Sequence, residues 1–282
     1  MATGAQFIAM FFLTGVGFLF LFCGATDTDT LENILTGSDF STCVMVIYSI
    51  ICITIFSQWY YYSCGGDYRP DRKRTFNPLM ILGVIILVPG MQFFSSYLIG
   101  IVSMAFPQWL KQYEELINNA GLGSDITPLM LLYSVVLAPI GEELMFRGVT
   151  MRQARKAVPF WAANLLQAFL FGVFHLNWIQ GIYAFALGLV LGIVCEKGGS
   201  IYYSLLFHIL FNFWGTVIGE LLGDIDDSGI AGLVIFLLMI VFIILGTLLF
   251  KVGMKKRTVL IEKLDHNIIT SNDDPDHPEV LE

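Results

Sequence analysis

The stretch TPLMLLYSVVLAPIGEELMFRG, residues 127–148, is apolar from Leu129 onward and then carries Glu142, Glu143 and Arg147 before the run is over. About 20 mostly apolar residues suffice to cross roughly 30 Å of hydrocarbon, so the segment reads as a membrane helix. An ionisable side chain inside such a helix is costly, which makes its presence a functional hypothesis by default. Working outward, the whole chain has the same character: 56% of its 282 residues are hydrophobic and only 13% are charged, with a mean hydropathy of +0.73. A soluble domain needs more polar cover than that.

Eight apolar runs approach membrane length, at about 6–24, 42–62, 79–106, 127–146, 159–177, 180–195, 201–219 and 230–250. An open sheet leaves its edge groups unsatisfied in lipid, so these are read as helices. The expected fold class is all-α, a polytopic membrane protein with about eight transmembrane helices and an active site in the core of the bundle. The first run lacks the basic start of a secretory leader and is read as a retained helix. Trp59, Tyr60, Tyr61 and Tyr62 form an interfacial belt. The five cysteines have no C-x-x-C spacing and are expected as unpaired apolar packing residues.

The basic residues fix the orientation. With eight alternating spans, fourteen of the fifteen Lys and Arg fall on one face and only Lys111 on the other. Short loops rich in Lys and Arg stay cytoplasmic, which places both termini in the cytoplasm. The net charge of −8 therefore hides a basic cytoplasmic face suited to an anionic leaflet, and nothing points to nucleic acid. The chain divides into residues 1–126, three helices and their loops; 127–219, the core bearing the polar motifs; 220–261, the last span; and 262–282, an acidic cytoplasmic tail expected to be disordered.

Three polar clusters lie in the core. In the first, Glu143 and Arg147 are spaced for a helical ion pair with the acid N-terminal, the favourable order. Glu142 points about 100° away, has no such partner, and is free to act as a general base. The second is Phe171-Gly172-Val173-Phe174-His175, on a stripe with Asn164 and Gln167; the third is His208 to Asn212, which shares a face with Ser204. Glu142 lies about 20 Å before the turn at Arg155 to Pro159, and His175 a similar distance after it, so the two meet at one level of a hairpin. Too few residues separate His175 from Glu196 for two complete crossings, and a turn inside the bilayer is expected near Asn177 to Gly181. Pro139 removes a backbone bond about one turn before Glu142. Taken separately, the two glutamates also fit helix-end charges near lipid headgroups, and the His175 and His208 clusters also fit structural hydrogen bonding between helices.

The ordered set Glu142-Glu143 with Arg147, Phe171 with His175, and His208 with Asn212 resembles the signature of the CAAX protease and bacteriocin-processing family of intramembrane peptidases, also called the Abi family. The resemblance covers about residues 127 to 219. It implies a CAAX-type intramembrane protease in which Glu142 and His175 activate water, with Glu143, Arg147, His208 and Asn212 completing the catalytic set. It leaves open whether His208 and Asn212 donate to the oxyanion or whether His175 and His208, with Glu142, hold a zinc ion. No H-E-x-x-H helix is present. The implied partners are the bilayer and a peptide or protein substrate, either lipid-anchored or membrane-inserted, in bacteriocin or peptide maturation or self-immunity. A bacterial cell membrane is the expected location, and a non-enzymatic scaffold or immunity protein retaining the fold is the rival reading. Substrate and water are expected to reach the site from the cytoplasmic half, because Glu142 lies near the end of its run.

Overall fold

The computed structural model of the protein describes residue 30 and residues 38–63, 76–119, 126–218 and 229–272. Its helices are α1 (Ser38–Ser63), α2 (Pro78–Ala105), α3 (Pro107–Asn119), α4 (Pro128–Ala154), α5 (Phe160–Phe174), α6 (Trp178–Gly198), α7 (Ile201–Ile218) and α8 (Gly229–Asn272). There is no strand among the described residues. Six of these helices are long and apolar enough to cross a membrane, and α5 is a shorter apolar one. The run at 6–24, which completes the expected count of eight, lies outside the described residues, as do Cys23 and Cys64. Among the described residues, Cys43, Cys52 and Cys195 form no disulfide with one another.

Local chemistry sets the helix starts. Asn77, Thr127, Asn177 and Ser200 each turn a side-chain oxygen onto a first-turn N–H of the following helix, the usual remedy for the unpaired donors there. Pro78 and Pro128 occupy first-turn positions, where no N–H is missed. The core is made by Met80, Val84 and Leu87 of α2, Phe146 of α4, Phe171 of α5, Leu191 of α6, Phe207 of α7 and Phe250 of α8. Leu233, Leu237, Ile244 and Leu248 of α8 are more than half exposed, a patch that suits a lipid-facing helix and not one in water.

The α5–α6 hairpin is built on close backbone approach. A Cβ on Gly172 would stand 2.6 Å from the Gly181 carbonyl oxygen, and one on Gly192 would stand 1.8 Å from Asn164 Oδ1. The small residues Ala184, Gly188 and Gly192 are thus a packing stripe, with Gly188 against Ala168. The helices are joined by His175, Leu176 and Asn177. Leu176 takes the left-handed conformation, φ 53°, which carries strain for a non-glycine residue. At 1.5 Å per residue α5 is about 22 Å long, too short for a complete crossing, in line with the turn expected near Asn177.

The structure differs from the sequence reading at the end of the fourth span, at Pro107 and in residues 262–272. The fourth span does not end near residue 146 but continues to Ala154, because nothing after Arg147 breaks it. Glu142 is therefore twelve residues, about 18 Å, from that end, and sits near the middle of its helix rather than close to the face. Pro107 starts a separate helix after the second described span: α3 is amphipathic, and its Trp109 and Tyr113 rings meet Trp178 and Tyr183 of α6. The last helix runs on to Asn272, so residues 262–272 are helical where a disordered tail is expected; no Gly or Pro occurs between Gly253 and Pro275 to stop it. Finally, α4 is not uniformly α-helical. Leu132–Leu137 and Leu144–Met151 are π-helical and bracket the α-helical turn Ala138–Glu143.

Candidate active site

The two π segments bear directly on the polar groups, since π insertions inside α-helices concentrate at functional sites. In the first, the Ala138 N–H reaches back five residues to the Tyr133 carbonyl. The next bond in that register would join Ser134 to residue 139, which is proline and has no N–H. The Ser134 carbonyl instead accepts from Asn212 Nδ2 at 2.9 Å. In the second, the Thr150 hydroxyl takes the Met145 carbonyl five residues back, at 2.8 Å.

Glu143 and Arg147 form the expected pair, Nη1 to Oε1 at 2.8 Å, with both side chains essentially without solvent contact. Arg147 Nη2 also donates to the Gly188 carbonyl at 3.2 Å, and its guanidinium lies 4.6 Å from the centre of the Phe171 ring. Gln167 donates to the same Gly188 oxygen at 2.9 Å and to Asn164 Oδ1 at 2.7 Å. The polar stripe expected on α5 thus meets Arg147 of α4 at the same α6 carbonyl. A buried charge needs a partner and further hydrogen bonds, and Arg147 has both.

His208 departs from expectation. Its Nδ1 is 3.0 Å from Glu143 Oε1, and its Nε2 is 3.5 Å from Glu142 Oε2. One imidazole from α7 therefore spans both carboxylates, and Glu142 does have a neighbour, contrary to the reading from helical spacing. That spacing describes α4 alone and is blind to what α7 brings across. Glu142 keeps some contact with solvent, its side chain being 16% exposed.

His175 lies just past the end of α5, with its ring half-buried. Its backbone N–H turns to Gly172 and Val173, which leaves the Phe171 carbonyl of the last turn without that donor. The imidazole fills the gap, with Nδ1 2.8 Å from that oxygen. The Phe171 ring stands 5.0 Å from His175 and 5.6 Å from His208, edge-on to both. The phenylalanine of the second cluster thus holds one histidine by its carbonyl and packs against both by its ring. A carbonyl and an ion-paired carboxylate are acceptors, so each histidine carries its proton on Nδ1 when neutral, and Nε2 is left with a lone pair.

The structure therefore brings Glu142, Glu143, Arg147 and His208 into one connected group, with His175 joined to it through Phe171. Asn212 is tied to Ser134 by one of its two amide hydrogens. Ser134 and Gly188, which serve through backbone oxygens, carry no sequence signal; Asn164 and Gln167 do, by sharing the His175 stripe. Among the described residues, no three His, Cys, Asp or Glu side chains gather closely enough to hold a metal ion. His175, His208 and Glu142 are accordingly not gathered closely enough to hold zinc.

Residues 124–214 match the family model described as Type II CAAX prenyl endopeptidase Rce1-like. No curated protein and no solved structure matches the chain. The matched segment holds all six candidate residues and agrees with the CAAX protease resemblance of the three motifs. Together with the multi-pass helical fold it supports an intramembrane protease.

Proposed function

We propose that the chain is an intramembrane endopeptidase that hydrolyses a peptide bond of a membrane-associated protein or peptide, using a water activated by Glu142 and His175 without a metal. The observation that carries this is the anchoring of both histidines by Nδ1, His175 at the Phe171 carbonyl and His208 at the Glu143 carboxylate; a neutral imidazole with its proton on that nitrogen keeps Nε2 as an acceptor. A water held by its two hydrogens between the Glu142 carboxylate and His175 Nε2 keeps its oxygen lone pairs for the scissile carbonyl carbon.

As the new C–O bond forms, the water gives one proton to Glu142, and negative charge collects on the carbonyl oxygen. The second hydrogen of Asn212 Nδ2 is available to that oxygen. His208 Nε2, beside Glu142, passes the proton on to the departing amine nitrogen as the C–N bond breaks. Glu143 holds His208 by Nδ1, and Arg147 holds Glu143, so both act as positioning residues. The substrate class is a lipid-anchored or membrane-inserted peptide, and peptide or bacteriocin maturation at a bacterial cell membrane is the setting this reading favours.

The test is cleavage by the purified, reconstituted chain of a farnesylated peptide and of a membrane-inserted peptide, with Glu142→Gln as control. Cleavage by the parent protein that is lost in the variant is expected. Cleavage undiminished in the variant would remove Glu142 from the mechanism. A parent protein inactive on both peptides would favour the non-enzymatic scaffold or immunity reading.

A further inference from the structure

A cavity of about 220 Å³, which shares Arg147 with the polar group around Glu142, opens near the ends of four helices. Tyr60 lines it from the last turn of α1, Arg147 from two turns before the end of α4, Arg152 from its last turn and Arg155 from just past it, Glu196 from the last turn of α6, and Ser200 from the start of α7. We propose that this cavity binds the phosphate headgroup of an anionic phospholipid.

Charge is the first argument. Three arginines face one carboxylate in the lining. Arg155 meets Glu196 at 3.2 Å, but both side chains are about one-third exposed, and such a pair is worth little. Arg152 pairs with no carboxylate among the described residues; its guanidinium stands 5.8 Å from the centre of the Tyr60 ring. Arg147 is committed to Glu143 and Gly188 through its two Nη atoms, yet its buried Nε has no acceptor among the described residues. Buried donors of that kind are uncommon and call for an explanation.

The second argument is the backbone. Gly199, at φ 64°, and Ser200 turn the chain from α6 into α7 at the cavity wall. The Tyr202 N–H is taken by Ser200 Oγ, and the positive end of α7 still favours an oxyanion at that wall.

Depth decides the source of the oxyanion. Trp59, Tyr61 and Tyr62, next to Tyr60, are 42%, 51% and 76% exposed, and aromatic belts of this kind lie at the headgroup level. The cavity sits at the same span ends, and basic pockets between membrane helices are suited to anionic headgroups. A zwitterionic lipid would set its own cation among the arginines, so phosphatidylglycerol is preferred over phosphatidylcholine. The guanidinium fork of Arg152 can meet two phosphate oxygens at once.

The experiment measures lipid binding to the full chain and needs no protease activity, so it stands apart from the test of the catalytic reading. Protein purified in neutral detergent is mixed with phosphatidylglycerol or phosphatidylcholine, and bound lipid is counted by native mass spectrometry while melting is followed. Phosphatidylglycerol should be retained and raise the melting temperature, and Arg152→Gln should weaken its retention by about fivefold. Arg155→Gln should weaken it too, whereas Lys156→Gln, at an exposed position outside the lining, should not. Melting of Arg152→Gln without added lipid should match the parent protein, separating lost binding from lost folding. Equal retention of the two lipids, or unchanged retention in both arginine variants, would overturn the proposal. Inorganic phosphate reproducing the full melting shift would identify a soluble oxyanion instead and overturn the lipid assignment.

Discussion

Asn212 of α7 donates its side-chain amide to the Ser134 carbonyl of α4 at 2.9 Å, the oxygen that Pro139 leaves without a partner in the π-helical register. A single bond thus ties α7 to a helix irregularity about two turns before Glu142. Removing it should leave a part-buried carbonyl without its donor, at a cost of about 1 kcal/mol. Asn212→Ala is therefore expected to lower the melting temperature. In a Pro139→Ala background, where residue 139 regains its N–H, the same change should cost less. Equal losses in the two backgrounds, read as a double-mutant cycle, would show that the proline and the asparagine are not coupled.

The two adjacent glutamates should separate by stability. Glu143 is buried and serves both Arg147 and His208, whereas Glu142 is partly exposed and meets only His208 Nε2, at 3.5 Å, among the ion-pair partners of the described residues. Breaking a buried ion pair from one side costs about 3–5 kcal/mol, so Glu143→Gln is expected to melt well below the parent protein and to lose activity. Glu142→Gln should lose activity and keep its melting temperature within a few degrees. A Glu143→Gln protein of unchanged melting would contradict the role given to the pair.

How far this arrangement can be read from the sequence differs from group to group. The membrane class, the Glu143–Arg147 pair, the α5 stripe and the turn after His175 all follow from hydrophobic length and helical spacing, which act within one helix or one hairpin. The His208 bridge does not, because it joins residues 65 positions apart through helix packing. The π segments are equally hidden, since an inserted residue leaves no mark in composition; Pro139 is the nearest thing to a signal. Helix α3 is missed because an apolar run ending at Phe106 masks the change of direction at Pro107. The depth of Glu142 is misjudged for the converse reason: Arg147 and Arg152 look like a helix end, yet Arg147 is buried against Glu143 and the helix runs on to Ala154.

Metal removal distinguishes the two chemistries that the resemblance leaves open. His208 has one ring nitrogen on Glu143 and the other beside Glu142, and His175 has Nδ1 on a carbonyl. On the water-activation reading, activity should survive exhaustive chelation, and elemental analysis of active protein should find far less than one zinc per chain. Loss of activity on chelation, restored by zinc and accompanied by one bound equivalent that His208→Ala loses, would replace the proposed mechanism with a metal-dependent one.

The orientation of the site can be tested at two exposed positions on opposite faces. Lys156 lies in the connection between α4 and α5, on the face that collects Arg152 and Arg155, and Gln112 lies on α3, after α2 has crossed to the other side. At 28 residues and 1.5 Å per residue α2 is about 42 Å long, more than enough to separate the faces. Basic loops are retained in the cytoplasm, so Lys156→Cys in a cysteine-free background should react with a membrane-impermeant thiol reagent only from the cytoplasmic side, and Gln112→Cys only from outside. Ser204 is fully buried and Met145 half-buried, so labelling at 204 is not expected from either side. A Cys at 156 that reacts from outside in intact cells would invert the orientation and, with it, the leaflet in which the arginine-lined cavity meets lipid.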